Sequence, residues 1–178
     1  MSDSSQFSLP TTPLIDTVKL RRRYPSSVDG VTVRLVASAV LLIGVIAVVT
    51  GQWWLYLLLA ADFVPRFIWG PSRSVIATAI LRYVRPRVPL APRSVSGAPK
   101  RFAAGIGAAM TSLASVVWLL HLALGSHAAL VAVWVIAGMM VVFPALEAVF
   151  GYCVGCKIYG VLARRGWVNP DLCVDCLS

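Results

Sequence analysis

The residues best suited to chemistry are four cysteines, arranged as two CxxC pairs near the C-terminus. Cys153 and Cys156 follow the last long apolar run, and Cys173 and Cys176 lie close to the end of the chain. They are the only cysteines among the 178 residues. Because paired thiols at this spacing can hold a metal ion or exchange disulfides, we expect any chemistry of this chain to involve sulfur.

One interpretation of the cysteines is a metal site built from all four sulfurs, Cys153, Cys156, Cys173 and Cys176. Sixteen residues separate the two pairs, which gives the pattern C-x2-C-x16-C-x2-C. This spacing fits a four-cysteine zinc site, in which thiolates surround the metal at about 2.3 Å. An iron–sulfur cluster would use the same ligands at a less typical spacing. The chain would then be a non-enzymatic membrane scaffold or transporter subunit with a structural metal site.

Another interpretation makes Cys153 and Cys156 a catalytic thiol pair, in which one thiolate attacks and the other resolves. Cys153 would need a lowered pKa, and a helix N-terminus with Lys157 beside it would provide one. That requires the preceding helix to end near Gly151. If the helix runs through the motif, the thiols face its negative end instead. The sequence allows both courses, and it also allows a pair of inert, buried cysteines.

The elements that must position these residues are apolar helices. Mean hydropathy is +0.81 and 58% of the residues are hydrophobic, which is typical of a polytopic membrane protein. We predict an all-α integral membrane fold with four transmembrane helices in two hairpins. The spans cover about 31–50, 52–68, 102–124 and 128–150. A flexible cytoplasmic arm over 1–30, a cytoplasmic loop over 70–100 and a cysteine-rich cytoplasmic tail over 153–178 complete the chain.

The basic residues predict the orientation of these spans. The turns near 51–52 and 125–127 contain no Lys or Arg, so all 16 basic residues lie in the other segments. By the positive-inside rule, the protein crosses the plasma (inner) membrane several times with both termini in the cytoplasm. Thiols stay reduced there. The net charge of +9 then reports topology, and we expect no nucleic-acid partner and no cleavable signal peptide.

Two further patterns concern packing. Residues 74–84 place apolar side chains at helical spacing between Arg73, Arg82 and Arg85, which predicts a short amphipathic helix on the inner leaflet. Small residues recur every four positions along the third span, where they would let helix backbones approach closely. The two rows of small residues are Gly107, Thr111, Ser115 and Ala104, Ala108, Ser112.

Four ionisable side chains fall within or at the edge of the predicted spans, and such groups are functional candidates by default. They are Asp62, Arg66, Glu147 and Arg34. Asp62 lies one helical turn before Arg66, so we predict a buried ion pair. For Glu147 we expect solvent or a basic partner, the candidates being Arg34, Arg101 and Lys157. The four side chains could also line a path for a small solute, although no motif names that solute.

Several short motifs resemble a bacterial family called domain of unknown function 4395, over about residues 28–166. The motifs are Asp62-Phe63-x-x-Arg66, Gly70-Pro71-x-x-Ser74, Pro99-Lys100-Arg101-Phe102-Ala103 and Phe150-x-x-Cys153-Val-Gly-Cys156-x-x-Tyr159. The resemblance implies a small multi-helix membrane protein. Members of the family are often encoded near thioredoxin-like or rhodanese-like domains, or are fused to them. The resemblance therefore implies thiol redox or sulfane-sulfur exchange with such a partner, whereas Cys173 and Cys176 lie outside it. Apart from the resemblance, we also consider a membrane-protein complex or a homo-oligomer.

Overall fold

The structure, a computed structural model, describes residues 27–168. Most of the predicted arm, together with Cys173 and Cys176, lies outside the described residues. The helices are α1 Gly30–Thr50, α2 Leu55–Trp69, α3 Val75–Ala79, α4 Gly97–Leu124, α5 His127–Ala145 and α6 Val154–Arg164, and the strands are β1 Ser27–Asp29 and β2 Ser94–Ser96. Single 3₁₀ turns cover Pro71–Arg73 and Arg85–Arg87, and π-helical turns cover Ile80–Val84 and Leu146–Phe150.

The described chain is mainly helical, which confirms the predicted all-α class. Three helical stretches are long and apolar enough to cross a membrane, namely Gly30–Thr50, Gly97–Leu124 and His127–Phe150. Large apolar side chains remain exposed along them, as at Leu42, Val49 and Leu122. A surface of this kind is stable against lipid rather than water, so the helices indicate membrane association.

The second predicted span is present as a helix but is short. Helix α2 has 15 residues, which corresponds to a length of about 22 Å. It begins at Leu55 because the backbone from Gly51 to Trp54 forms a tight turn, in which Trp53 N–H donates to Gly51 O at 3.0 Å. Pro65 lies inside the helix.

Helix packing follows the small residues rather than the order of the chain. Helix α2 lies mainly against α4, and α1 lies mainly against α5. The second predicted hairpin is a packed pair, because α4 also lies against α5, whereas α1 and α2 of the first hairpin contact each other only slightly. At Gly107 an added Cβ would stand 2.7 Å from the Phe63 ring, which leaves room for glycine alone. Gly107, Thr111 and Ser115 are all buried, as the predicted packing face requires.

The loop between α2 and α4 is held to the start of α1. Strands β1 and β2 pair antiparallel with Val28 opposite Val95. Asp29 caps α1 by accepting from Val31 N–H at 3.2 Å, and it also binds Arg85 Nε at 2.7 Å. The predicted amphipathic helix is observed as α3 and the π-helical turn after it, with Ala77 buried and Tyr83 exposed.

The segment predicted as the start of a tail is instead a packed helix. Helix α5 continues into the π-helical turn and ends at Gly151, whose φ of 69° suits glycine. Helix α6 then begins and lies against α4. At Gly155 an added Cβ would come within 2.8 Å of the Ala103 backbone, and the Tyr159 and Phe102 rings meet edge to face at 5.7 Å. Residues 154–164 therefore belong to the folded body.

Candidate functional site

The ends of the main helices meet around one small cavity. Its walls come from the start of α1, the end of α2, the start of α4, the end of α5 and the start of α6. We call this end of the bundle the cysteine end. The cavity has a volume of about 90 Å³, and Arg66, Lys100, Glu147 and Cys153 reach its wall. Three predicted site residues thus lie together, and Lys100 joins them.

The first CxxC pair is organised by the N-terminus of α6. Cys153 is the N-cap residue, and its sulfur accepts the Cys156 backbone N–H at 3.3 Å. The break at Gly151 decides the question that the sequence left open. Because α5 ends before the motif, the cysteines face the positive end of a new helix rather than the negative end of the old one.

The two thiols are inequivalent. The Cys156 thiol donates a hydrogen bond to the Cys153 sulfur, and this lowers the pKa of Cys153; burial and the charge of Glu147 oppose the change, while Lys100 supports it. The same contact raises the pKa of Cys156, and burial raises it further. Cys153 is 9% exposed, whereas Cys156 is half-buried. Of the two thiols, Cys153 is therefore the one that loses its proton first.

Lys100 was missed as a site residue, and it pairs with Glu147. Lys100 Nζ, from the first turn of α4, bonds Glu147 Oε1 in the π-helical turn after α5. None of the three partners proposed for Glu147 from the sequence was correct. Lys100 belongs to the motif Pro99-Lys100-Arg101-Phe102-Ala103. The family resemblance was therefore the signal that could have identified Lys100 as a site residue. The pair brings a positive and a negative charge beside both cysteines.

The predicted ion pair between Asp62 and Arg66 is wrong. Asp62 is buried and accepts from Ser74 Oγ at 2.8 Å and from Ile76 N–H at 3.0 Å. The first N–H groups of a helix lack intrahelical acceptors, so Asp62 supplies one for α3. This tertiary contact competes successfully with the ion pair one turn along α2, and Asp62 becomes an anchor for the loop.

Arg66 is left facing the cavity. Its guanidinium lies over the Phe63 ring, 5.7 Å from the ring centre. Its Nε is buried and has no hydrogen-bond acceptor among the described residues, and none of their carboxylates lies within ion-pair distance. Arg66 is thus a cation whose charge residues 27–168 do not balance.

Arg34 has a structural role instead of lining the cavity. Its guanidinium donates to Ala148 O at 3.0 Å and to Val149 O at 2.9 Å. These carbonyls belong to the last turn before Gly151, where a helix leaves acceptors unsatisfied. Arg34 therefore ties α1 to the end of α5 and stabilises the break that precedes the cysteines.

Residues 27–168 contain no cluster of three or more His, Cys, Asp or Glu side chains arranged to hold a metal ion. Cys153 and Cys156 supply two sulfurs, and the four-cysteine site requires Cys173 and Cys176, which lie outside this range. The structure therefore describes half of the predicted ligand set.

A family model described as Domain of unknown function (DUF4395) matches residues 28–164. The chain belongs to this family. The match to DUF4395 includes every helix that forms the cavity and the first CxxC pair, and it stops before Cys173. No curated protein and no solved structure matches the chain.

Proposed function

We propose that this protein is a membrane-embedded, cytoplasm-facing thiol module that exchanges electrons or sulfane sulfur with a soluble thioredoxin- or rhodanese-like protein. One observation carries the proposal: the Cys153 sulfur, at the start of α6, accepts hydrogen bonds from both the backbone N–H and the thiol of Cys156. Hydrogen bonds to the charged form favour that form. A thiolate of lowered pKa is the nucleophile that such exchange requires.

The proposal includes four spans in the plasma membrane. Helix α2 spans in addition to the three long apolar helices, and both termini are cytoplasmic. The support for this arrangement is the placement of charge. The cysteine end gathers the helix ends that carry Arg34, Arg66 and Lys100, whereas the turns near 51–52 and 125–127 contain no basic residue. This distribution favours a cytoplasmic cysteine end.

In the redox form of the reaction, the Cys153 thiolate attacks one sulfur of a partner disulfide. A mixed disulfide forms, and the partner's other sulfur leaves with the bonding electron pair. Cys156 then loses its proton and attacks the Cys153 sulfur, the second partner sulfur leaves with the bonding electron pair, and a Cys153–Cys156 disulfide remains; water protonates the two partner thiolates to the dithiol. In this proposal Glu147, whose charge acts on both thiols, accepts the Cys156 proton, while Lys100 holds its carboxylate.

Trapping the mixed disulfide tests this function. In C156A, Cys153 can attack but no neighbouring thiol resolves the product, so a partner should remain covalently bound and be released by reductant. In C153A no such adduct should form. Absence of any reductant-sensitive adduct in C156A, together with Cys153 alkylation no faster than that of an unperturbed thiol, would refute the proposal.

A structural metal site is the second candidate, and the contact between the two thiols favours it. Because the sulfurs of Cys153 and Cys156 approach each other, they can bind one ion together. Metal analysis and thiol counting on anaerobically purified protein separate the candidates. About one zinc per chain with all thiols shielded supports the metal site. No metal, with Cys153 reacting near neutral pH, supports thiol exchange.

A further inference from the structure

The cavity beside Cys153 selects a ligand by size. Its volume is about 90 Å³. Pockets for drug-sized ligands start at about 300 Å³. The cavity therefore suits a molecule of only a few non-hydrogen atoms.

The charges on the cavity wall select an anion. Among the described residues, the charged side chains lining it are Arg66, Lys100 and Glu147. The carboxylate of Glu147 is already bonded to Lys100. Arg66 has no carboxylate partner in residues 27–168, and its buried Nε–H has no acceptor there. One positive charge and one hydrogen-bond donor thus remain for a ligand.

The rest of the wall strengthens this preference. It is largely apolar, with Val33, Val36, Val40, Met140 and Phe143 among its residues. Charge–charge attraction is stronger in such surroundings than in water. Cys153 lines the same cavity. An anion held by Arg66 would therefore occupy a small space that Cys153 also lines.

We propose that this cavity binds a small sulfur oxyanion of the thiosulfate type, with Arg66 holding the sulfonate group and Cys153 receiving the outer sulfur. This assignment rests on the proposed thiol function and names its substrate class. The Cys153 thiolate forms a bond to the outer sulfur, the sulfur–sulfur bond of thiosulfate breaks, and sulfite leaves with the bonding pair. Cys153 becomes a persulfide anion, so atoms and charge balance without a further oxidant or reductant.

Binding is tested first with sulfate, which has the charge and shape of the ligand but no sulfur to transfer. The full chain in detergent is alkylated with neutral iodoacetamide, and fragment-ion mass spectrometry locates the label on Cys153 or on Cys156, which lie in the same peptide. Sulfate should protect Cys153 saturably at constant ionic strength. Naphthalenesulfonate carries the same anionic group on a body too large for the cavity and should not protect.

Variants assign the protection to Arg66. Loss of a charge-assisted donor should raise the sulfate concentration needed by about tenfold or more in R66Q, with partial recovery in R66K. R73Q is the matched control, because Arg73 is exposed beside α3 and lies outside this cavity. The alkylation rate without sulfate shows whether each variant keeps a reactive Cys153.

Transfer is tested with thiosulfate. Up to one sulfite per chain should be released, and the Cys153 peptide should gain the mass of one sulfur atom. A reactive Cys153 that sulfate does not protect, or that naphthalenesulfonate protects equally well, would overturn the anion site and leave the proposed thiol function standing. An unreactive Cys153 would overturn both. Protection that is equal in the unmutated chain and in R66Q would remove Arg66 from the site.

Discussion

At the scale of single residues, the site depends on how two sulfurs share one proton. The Cys153 sulfur accepts from the thiol and the backbone N–H of Cys156, while Glu147 opposes thiolate formation and Lys100 favours it. These influences act over short distances, so single substitutions should separate them. The useful measurement is the pH at which Cys153 is half-maximally alkylated.

Removing the Cys156 thiol should weaken the Cys153 thiolate. An ordinary cysteine has a pKa of about 8.5, and Cys153 lies below its ordinary value chiefly because Cys156 donates to it. The alkylation rate of Cys153 should therefore rise at a lower pH than that of an ordinary cysteine. In C156A the midpoint should move upward, towards about 8.5, although the backbone N–H remains. A midpoint that stays unchanged would contradict the assigned hydrogen bond.

The two members of the ion pair should move the same midpoint in opposite directions. K100Q removes a positive charge and leaves Glu147 unbalanced, so the pKa of Cys153 should rise. E147Q removes the opposing negative charge, so the pKa of Cys153 should fall. Both changes break the same pair, and loss of stability alone would shift both midpoints in one direction.

Asp62 and Arg66 should behave as independent residues. Asp62 binds Ser74 and Ile76, whereas Arg66 lies over Phe63. D62N should lower the free energy of unfolding by about 1–3 kcal/mol, because it replaces one of the two accepting carboxylate oxygens with an NH2 group and leaves a buried donor without its acceptor. In a double-mutant cycle with R66Q, the interaction energy should be close to zero. A coupling of 1 kcal/mol or more would restore the ion pair that the sequence predicts.

At the scale of elements, the docking of α6 positions the thiols. An added Cβ at Gly155 would stand 2.7 Å from Ala103 Cβ and 2.8 Å from its Cα, and a backbone atom cannot move aside easily. G155A should therefore displace α6 and cost about 1–3 kcal/mol, with faster alkylation of Cys153. G138A is the matched control, since no atom lies within 4 Å of its added Cβ. It should be neutral or stabilising by about 0.5–1 kcal/mol.

The sequence predicts the helices well because hydropathy and helical spacing are local properties. It also identifies the packing face of α4, since Gly107, Thr111 and Ser115 repeat at one spacing. It brings Cys153 into consideration through the CxxC spacing, and Glu147 as an acidic residue at the edge of an apolar span. These predictions need no knowledge of which helices become neighbours.

The errors concern side chains whose partners come from distant parts of the chain. The ion-pair rule considers Asp62 and Arg66 alone, but the fold delivers Ser74 and a free N–H from α3 to the same carboxylate. The sequence also could not predict the helix face on which the Glu147 side chain emerges. It lies in a π-helical turn soon after Pro144, and the wider turn changes the face on which a side chain emerges.

At the scale of the whole molecule, the proposed orientation can be tested with one added cysteine. Gln52 is exposed in the turn before α2, at the end opposite the cysteine end. In intact cells, a membrane-impermeant thiol reagent should label Q52C and should leave Cys153 and Cys156 unlabelled. Labelling of Cys153 from outside, with Q52C protected, would reverse the orientation and place the thiols in an oxidising compartment.

The short helix α2 has a consequence for the surrounding lipid. Its length of about 22 Å falls about 8 Å below a hydrocarbon core of about 30 Å, whereas α1, with 21 residues, matches that thickness. If all four helices span as proposed, the bilayer must thin locally on the side of α2, near Trp54. Membrane thickness would then act on the protein, and lipids with short acyl chains should stabilise it more than lipids with long ones.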